Sequence, residues 1–141
     1  MSNQPDRVNL SLERAKEHAA KFSHEYVTLE HLLYSIMEED DVIEMLGKMN
    51  VEAGNAMEEL ETFLKERDDI SVPAGSEIEP RKTLGIDRVF NRAVTQVIFS
   101  GRSQLRCRDI LVSLLSETSS HAYYIIRKNG GTRNSAIDVL Q

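Results

Sequence analysis

The chain has 141 residues, 40% hydrophobic and 28% charged, with three prolines and seven glycines, a balance too apolar for disorder and too poor in proline and glycine for low-complexity sequence. A single cysteine, Cys107, excludes an internal disulfide and a cysteine-based zinc cage. The net charge of −6 divides into −10 over residues 1–70 (7 basic, 17 acidic) and +4 over residues 71–141 (10 basic, 6 acidic), which disfavours phosphate-driven binding to nucleic acid and predicts halves that attract each other or a polarised partner.

Apolar residues recur at helical spacing from the start: Leu12, Ala15, Ala19 and Phe22, then Leu29, Leu32, Leu33, Ile36 and Met37, then Met57, Leu60 and Leu64. Side-chain oxygens able to cap free backbone N–H groups stand ahead of these runs: Asn9 or Ser11 for the first, Thr28 for the second, Asp40 or Asp41 for VIEMLGKM, and Thr132 for the last. Helices of about 8 to 16 residues are predicted. Residues 68–83 show no period and hold two of the three prolines plus Gly75, so they read as a surface linker. No apolar run approaches a membrane span, and the first residues lack a secretory pattern; a soluble, cytoplasmic protein of one domain over 1–141 is expected.

A shift of 78 residues lays the second half on the first for about thirty positions, pairing Leu12 with Phe90, Arg14 with Arg92, Ala15 with Ala93, Leu32 with Ile110, Leu33 with Leu111 and Ser35 with Ser113. Past the turn at Glu38–Asp41 a shift of 80 takes over, pairing Leu46 with Ile126, Ala56 with Ala136 and Leu60 with Leu140. One register held across four helices and slipping only at a turn predicts two tandem four-helix repeats, residues 8–66 and 84–140, joined by a linker over 67–83.

The motif Thr28-Leu29-Glu30-His31-Leu32-Leu33, the segment Ala15–Ala20 before it, and the second-repeat segments TLGIDRVFNRAV (83–94) and DILVSLL (109–115) resemble the amino-terminal domain of the Clp AAA+ unfoldases over essentially the whole chain. The pattern of Thr83–Val94, followed by Ser100-Gly101-Arg102, is most similar to the ClpA branch. The resemblance implies an all-α fold of two tandem, pseudo-twofold-related Clp repeats. It implies a mobile, non-catalytic module that receives the adaptor ClpS and protein substrates, with ClpP acting downstream through the full-length protein, and a monomeric isolated domain with no membrane or nucleic-acid partner. The alternative is the N-terminal domain of another Clp unfoldase, or a free-standing Clp-repeat protein, that binds substrate directly. ATP and magnesium would belong to ATPase modules outside this chain, because no G-x-x-x-x-G-K-[ST] loop exists here: Gly47-Lys48 is followed by Met49 and has no glycine five residues upstream. The domain itself is expected to hold no cofactor or metal and to be no enzyme.

Carried over by position, the implied adaptor-binding residues are Glu25, Glu30, Thr83, Arg88 and, less directly, Arg92. Glu25 and Glu30 would accept charge-assisted hydrogen bonds, Thr83 would cap the second repeat while offering its hydroxyl, and Arg88 would present a rigid fork. Glu25, Glu30, Thr83 and Arg88 are expected to form one exposed patch straddling the repeats. Glu30 could instead serve a helix dipole alone, Thr83 could be only an N-cap, and Arg92 shares its place with Arg14. His18 and His24 read as solvated, and His31 as a structural residue at a helix entrance, since their spacing builds no metal site. Cys107, between Arg106 and Arg108, reads as a buried structural thiol. The run Glu38–Asp41 reads as a solvated helix-leading loop, and Arg81, Lys82, Arg88, Arg92, Arg102, Arg106 and Arg108 as a basic cluster suited to protein contacts.

Overall fold

A computed structural model describes residues 6–140. Within them lie eight α-helices, α1 (Arg7–Lys21), α2 (Leu29–Ile36), α3 (Asp40–Lys48), α4 (Ala53–Lys65), α5 (Leu84–Phe99), α6 (Cys107–Leu114), α7 (His121–Lys128) and α8 (Arg133–Leu140), and two short strands, β1 (Tyr26–Val27) and β2 (Arg81–Lys82). None of these helices is long and apolar enough to cross a membrane.

The all-α, twofold-repeated fold is visible in individual hydrogen bonds. Helices α2 and α6 begin and end 78 residues apart, so Leu32 and Leu33 occupy the places of Ile110 and Leu111, all four buried. The buried Ser35 hydroxyl donates to the Ser11 carbonyl at 2.7 Å, and the Ser113 hydroxyl to the Val89 carbonyl at 2.8 Å. Each helix entrance is closed by its third residue reaching back: the Thr28 N–H donates to His31 Nδ1, and the Arg106 N–H to Asp109 Oδ2, both at 2.9 Å. Helices α1 and α5 are followed by left-handed residues, Ser23 (φ 61°) and Gly101 (φ 75°); so are α3 and α7, by Asn50 (φ 60°) and Gly130 (φ 106°).

Pseudo-twofold packing interlocks the halves. Helix α1 lies on α2 as α5 lies on α6, and α2 and α6 meet each other. Helix α3 crosses to pack on α6 and α8, while α7 crosses to pack on α2 and α4. One apolar core therefore runs through both repeats, from Val8 and Leu33 to Leu111 and Ala136. Interhelical polar contacts join the acidic half to the basic one: Glu59 binds Lys128 and Asn129, and Asp41 accepts from the Arg108 N–H.

Several expectations change. Helix α1 starts at Arg7, because Asp6 accepts from the Val8 and Asn9 N–H groups; Asn9 and Ser11 sit inside the helix. Helix α3 is preceded by Glu39, and Asp40 and Asp41 form its first turn. Glu39 is buried rather than solvated, held by Arg7 and Arg14. His24 is buried too, against His31. The stretch 68–83 is no bare linker: it opens with a 3-10 turn at Asp68–Ile70 and ends in β2, which pairs in parallel with β1 through Tyr26–Arg81 and Val27–Lys82. A two-residue strand carries no alternation to detect in sequence.

Candidate functional site

Pairing β2 with β1 returns the chain to repeat one and sets the start of α5 beside the starts of α2 and α7. The result is a cleft of about 640 Å³ across the junction of the repeats. Glu30, Thr83 and Arg88 line it together with Phe63, Arg67 and Tyr124. Of the five residues implied by resemblance, three are thus gathered in one place. Glu25 and Arg92 are not among the lining residues. Glu25 is half-buried beside β1, its N–H donating to the Ile70 carbonyl at 2.8 Å and its carbonyl accepting from the Arg81 N–H at 3.0 Å.

Two helix N-termini meet at the floor of this cleft, an arrangement of like partial charges that needs a negative group between them. Glu30, the second residue of α2, supplies it: its carboxylate accepts from the Ala122 N–H, the second of α7, at 2.9 Å, and lies 3.6 Å from Arg67. Glu30 is only 6% exposed. The expected open patch is corrected on this point, since the carboxylate is committed to the interior. The other junction repeats the device, Asp41 of α3 accepting from the Arg108 N–H of α6 at 2.9 Å.

At the rim, Thr83 precedes α5 half-buried and makes no side-chain cap bond, so its hydroxyl is not spent on the helix. Arg88 is exposed and donates to Glu117 at 2.7 Å. Arg92 donates to the Ser113 carbonyl at 2.9 Å and to Glu117 at 2.7 Å. Its counterpart Arg14 pairs with Glu39, the counterpart of Glu117. Glu117 is held below the usual carboxylate range, first by the Arg88 hydrogen bond, with burial opposing. The basic cluster is therefore dispersed: Arg88 and Arg92 serve Glu117, and Arg102 donates to Asp109 at 2.8 Å.

Phe63 stacks on His121 with centroids 3.9 Å apart and planes 8° from parallel, and the Arg67 guanidinium covers Phe63 at 5.1 Å. Tyr124 lies 5.2 Å beyond His121. These aromatic residues, and Glu117, were not singled out as site residues from sequence. Only the pairing of Glu39 with Glu117 by the shift of 78 carried a signal for any of them. Adjacent to β2 and the cleft, Leu84 is 77% exposed. The cleft offers an aromatic wall, a hydroxyl and a forked cation, which suits docking of a polypeptide segment.

The second junction forms a polar cleft of about 860 Å³ lined by Arg7, Asp40, Asp41, Arg106 and Cys107. Ligand atoms of Glu39, Asp41 and Cys107 lie within 4.8 Å of one another. They do not suit a metal ion. Glu39 is occupied by two guanidiniums, Asp41 by a backbone N–H, and burial pushes the Cys107 thiol up to about 12, away from the thiolate that a metal requires.

The family model described as the Clp repeat (R) N-terminal domain matches residues 5–129. A ClpA homolog protein of Fuscovulum blasticum is 31% identical over 121 residues, which cover 83% of this chain and 15% of that protein. The chain thus spans about 15% of the length of this curated relative. The Hsp104 N-terminal domain from Candida albicans superposes with a TM-score of 0.74 at 17% identity, over 89% of this chain and 81% of that one. The N-domain of ClpV, solved in complex with a VipB peptide, superposes with a TM-score of 0.68 at 18% identity, over 91% and 78%. At such identities the likeness is one of fold.

Proposed function

The chain belongs to the Clp repeat N-terminal domain family, and from that premise we propose that it is the docking module of a ClpA-like unfoldase, receiving the adaptor ClpS in the cleft between its repeats. The observation that carries this reading is the convergence of Thr83, Arg88 and Tyr124 above the Glu30-sealed floor, where two helices of one repeat and two of the other present side chains to a single partner. Substrates delivered there would pass to ATPase modules elsewhere in the longer protein and then to ClpP, in the cytoplasm. The domain binds and positions; ATP and magnesium act outside it.

Arg88 is the recognition cation in this scheme, since its fork is exposed and needs only to exchange or share Glu117 to meet a partner carboxylate. Thr83 contributes its free hydroxyl, and Glu25 lies at the edge of the contact. Glu30 acts indirectly by fixing where α7 begins. Direct capture of substrate is the second reading, favoured by the aromatic wall of Phe63 and Tyr124 and by the peptide-bound ClpV relative.

Calorimetry of ClpS with the 141-residue chain tests the proposal. Arg88→Ala is expected to weaken binding about 30-fold, the equivalent of about 2 kcal/mol, at an unchanged melting temperature. Glu58→Ala, on α4 outside the cleft, serves as control. ClpS binding unaffected by both Arg88→Ala and Thr83→Ala would move the adaptor to another surface.

A further inference from the structure

The outer face of the second half of α5 is apolar where the fold has no use for it. Val94, Ile98 and Phe99 are 42%, 66% and 86% exposed. Scattered exposed apolar residues are ordinary, but these fall at the i, i+4 and i+5 positions of one helix and form one patch on the order of 400 Å². The repeat provides an internal control. Positions 78 residues earlier on α1, which packs on α2 as α5 packs on α6, hold Lys16, Ala20 and Lys21. The same helix in the same setting is thus served by two lysines and an alanine, so neither helix formation nor core packing requires a phenylalanine and an isoleucine here.

The surroundings are equally distinctive. Residues 93–100, AVTQVIFS, carry no charge, whereas residues 15–22, AKEHAAKF, carry Lys16, Glu17 and Lys21. The rim hydroxyls are turned inward, Thr95 donating to the Asn91 carbonyl at 2.9 Å and Ser100 to the Gln96 carbonyl at 2.8 Å. Arg92 is directed to Glu117. The patch therefore presents carbon surface with weak polar competition.

Three occupants of such a surface are conceivable, and the patch separates them. A stable dimer needs about 800 Å² from each copy, about twice what is offered. A membrane surface calls for lysine or arginine around the apolar residues, and α5 has none from Ala93 to Ser100. A short extended segment fits: Val94 to Phe99 spans roughly 7.5 Å of helix, room for two or three side chains of a strand at about 3.3 Å per residue. We infer that this face of α5 is a second docking site, distinct from the cleft between the repeats, that takes a short uncharged segment of an unfolded polypeptide through two or three consecutive apolar side chains. Ten residues, about 15 Å along α5, separate Ile98 from Arg88, so the two sites can be occupied independently.

The probe is a fluorescein-labelled ten-residue peptide containing the run Phe-Ile-Leu and no charged side chain, titrated with the 141-residue chain and followed by anisotropy. The variant replaces the patch with the residues that α1 carries, Val94→Lys, Ile98→Ala and Phe99→Lys. It is expected to fold with a melting temperature near the parent's and to bind the peptide at least tenfold more weakly, while Arg88→Ala binds it like the parent. Equal binding by parent and triple variant overturns the inference, as does a parent that binds no peptide at millimolar concentration. Sedimentation that finds a dimer abolished by the triple substitution would assign the face to a second copy and refute a peptide site. Co-flotation of the parent, but not the variant, with phosphatidylcholine–phosphatidylglycerol vesicles would assign it to lipid, with the same consequence. Should the triple variant fail to fold, Phe99→Ser gives the same comparison at a single fully rimmed position.

Discussion

His24 and His31 are neutral partners by geometry. The Thr28 N–H donates to His31 Nδ1, which places the ring proton on Nε2, and that group donates to His24 Nδ1 at 2.8 Å. Burial, followed by His24, Arg67 and His18, pushes His31 down to about 3; burial also lowers His24, with Arg67 assisting and Asp69 opposing. The unfolded chain takes up these protons near pH 6.5 and the folded one resists, so stability must fall as the pH drops from about 6.5 toward 3. The urea midpoint is expected to decline steadily over that range, and His31→Asn to flatten the decline while lowering the plateau. Repeat two holds the ion pair Arg102–Asp109 at the corresponding place. Glu30 makes a second prediction at this scale. Glu30→Ala orphans the Ala122 N–H in a buried junction and should cost about 1–3 kcal/mol in denaturant unfolding. Any loss of partner binding in that variant would then accompany loss of stability, unlike the loss expected for Arg88→Ala.

Helix entrances and exits are where the two repeats agree most closely. Ser35 and Ser113 tie α2 to α1 and α6 to α5 with equivalent buried bonds, so Ser35→Ala and Ser113→Ala should each cost about 1 kcal/mol, measured by chemical denaturation, and should add when combined because the two sites share no partner. After α7, Gly131 sits against the opposite half: a Cβ there would come within 2.6 Å of Ile126 Cγ2 and 2.8 Å of Val51 Cγ2. Gly131→Ala is accordingly expected to destabilise by about 1–3 kcal/mol through overpacking. Gly75 has nothing within reach of an added Cβ, but its φ of 85° still favours glycine, which separates the two reasons for the residue. Helix lengths and their apolar faces were legible in the sequence because 3.6-residue periodicity is local. Strand β2 and the 3-10 turn at Asp68–Ile70 were not, because their hydrogen bonds go to residues 23–27, far along the chain.

At the level of the molecule, each repeat is incomplete. Helix α3 packs on α6 and α8, and α7 on α2 and α4, so residues 1–66 expressed alone would leave Leu46, Val42 and Leu60 without half of their surroundings. That fragment is expected to show no cooperative thermal transition by circular dichroism, whereas the 141-residue chain shows one. Mixing it with residues 67–141 should restore part of the transition, helped by the opposite charges of the two halves. The sequence by itself determined the helices, the apolar residues they bury and the doubled register, because all three follow from periodicity and from a chain that repeats its own pattern. It also pointed to Glu30, Thr83 and Arg88 through a motif. Only the tertiary structure decided that Glu30 faces inward, that Arg88 shares Glu117 with Arg92, and that Phe63, His121 and Tyr124 wall the cleft. Those facts depend on which helix ends meet across the pseudo-twofold, and helix ends that lie some 90 residues apart in the chain leave no local trace of their encounter.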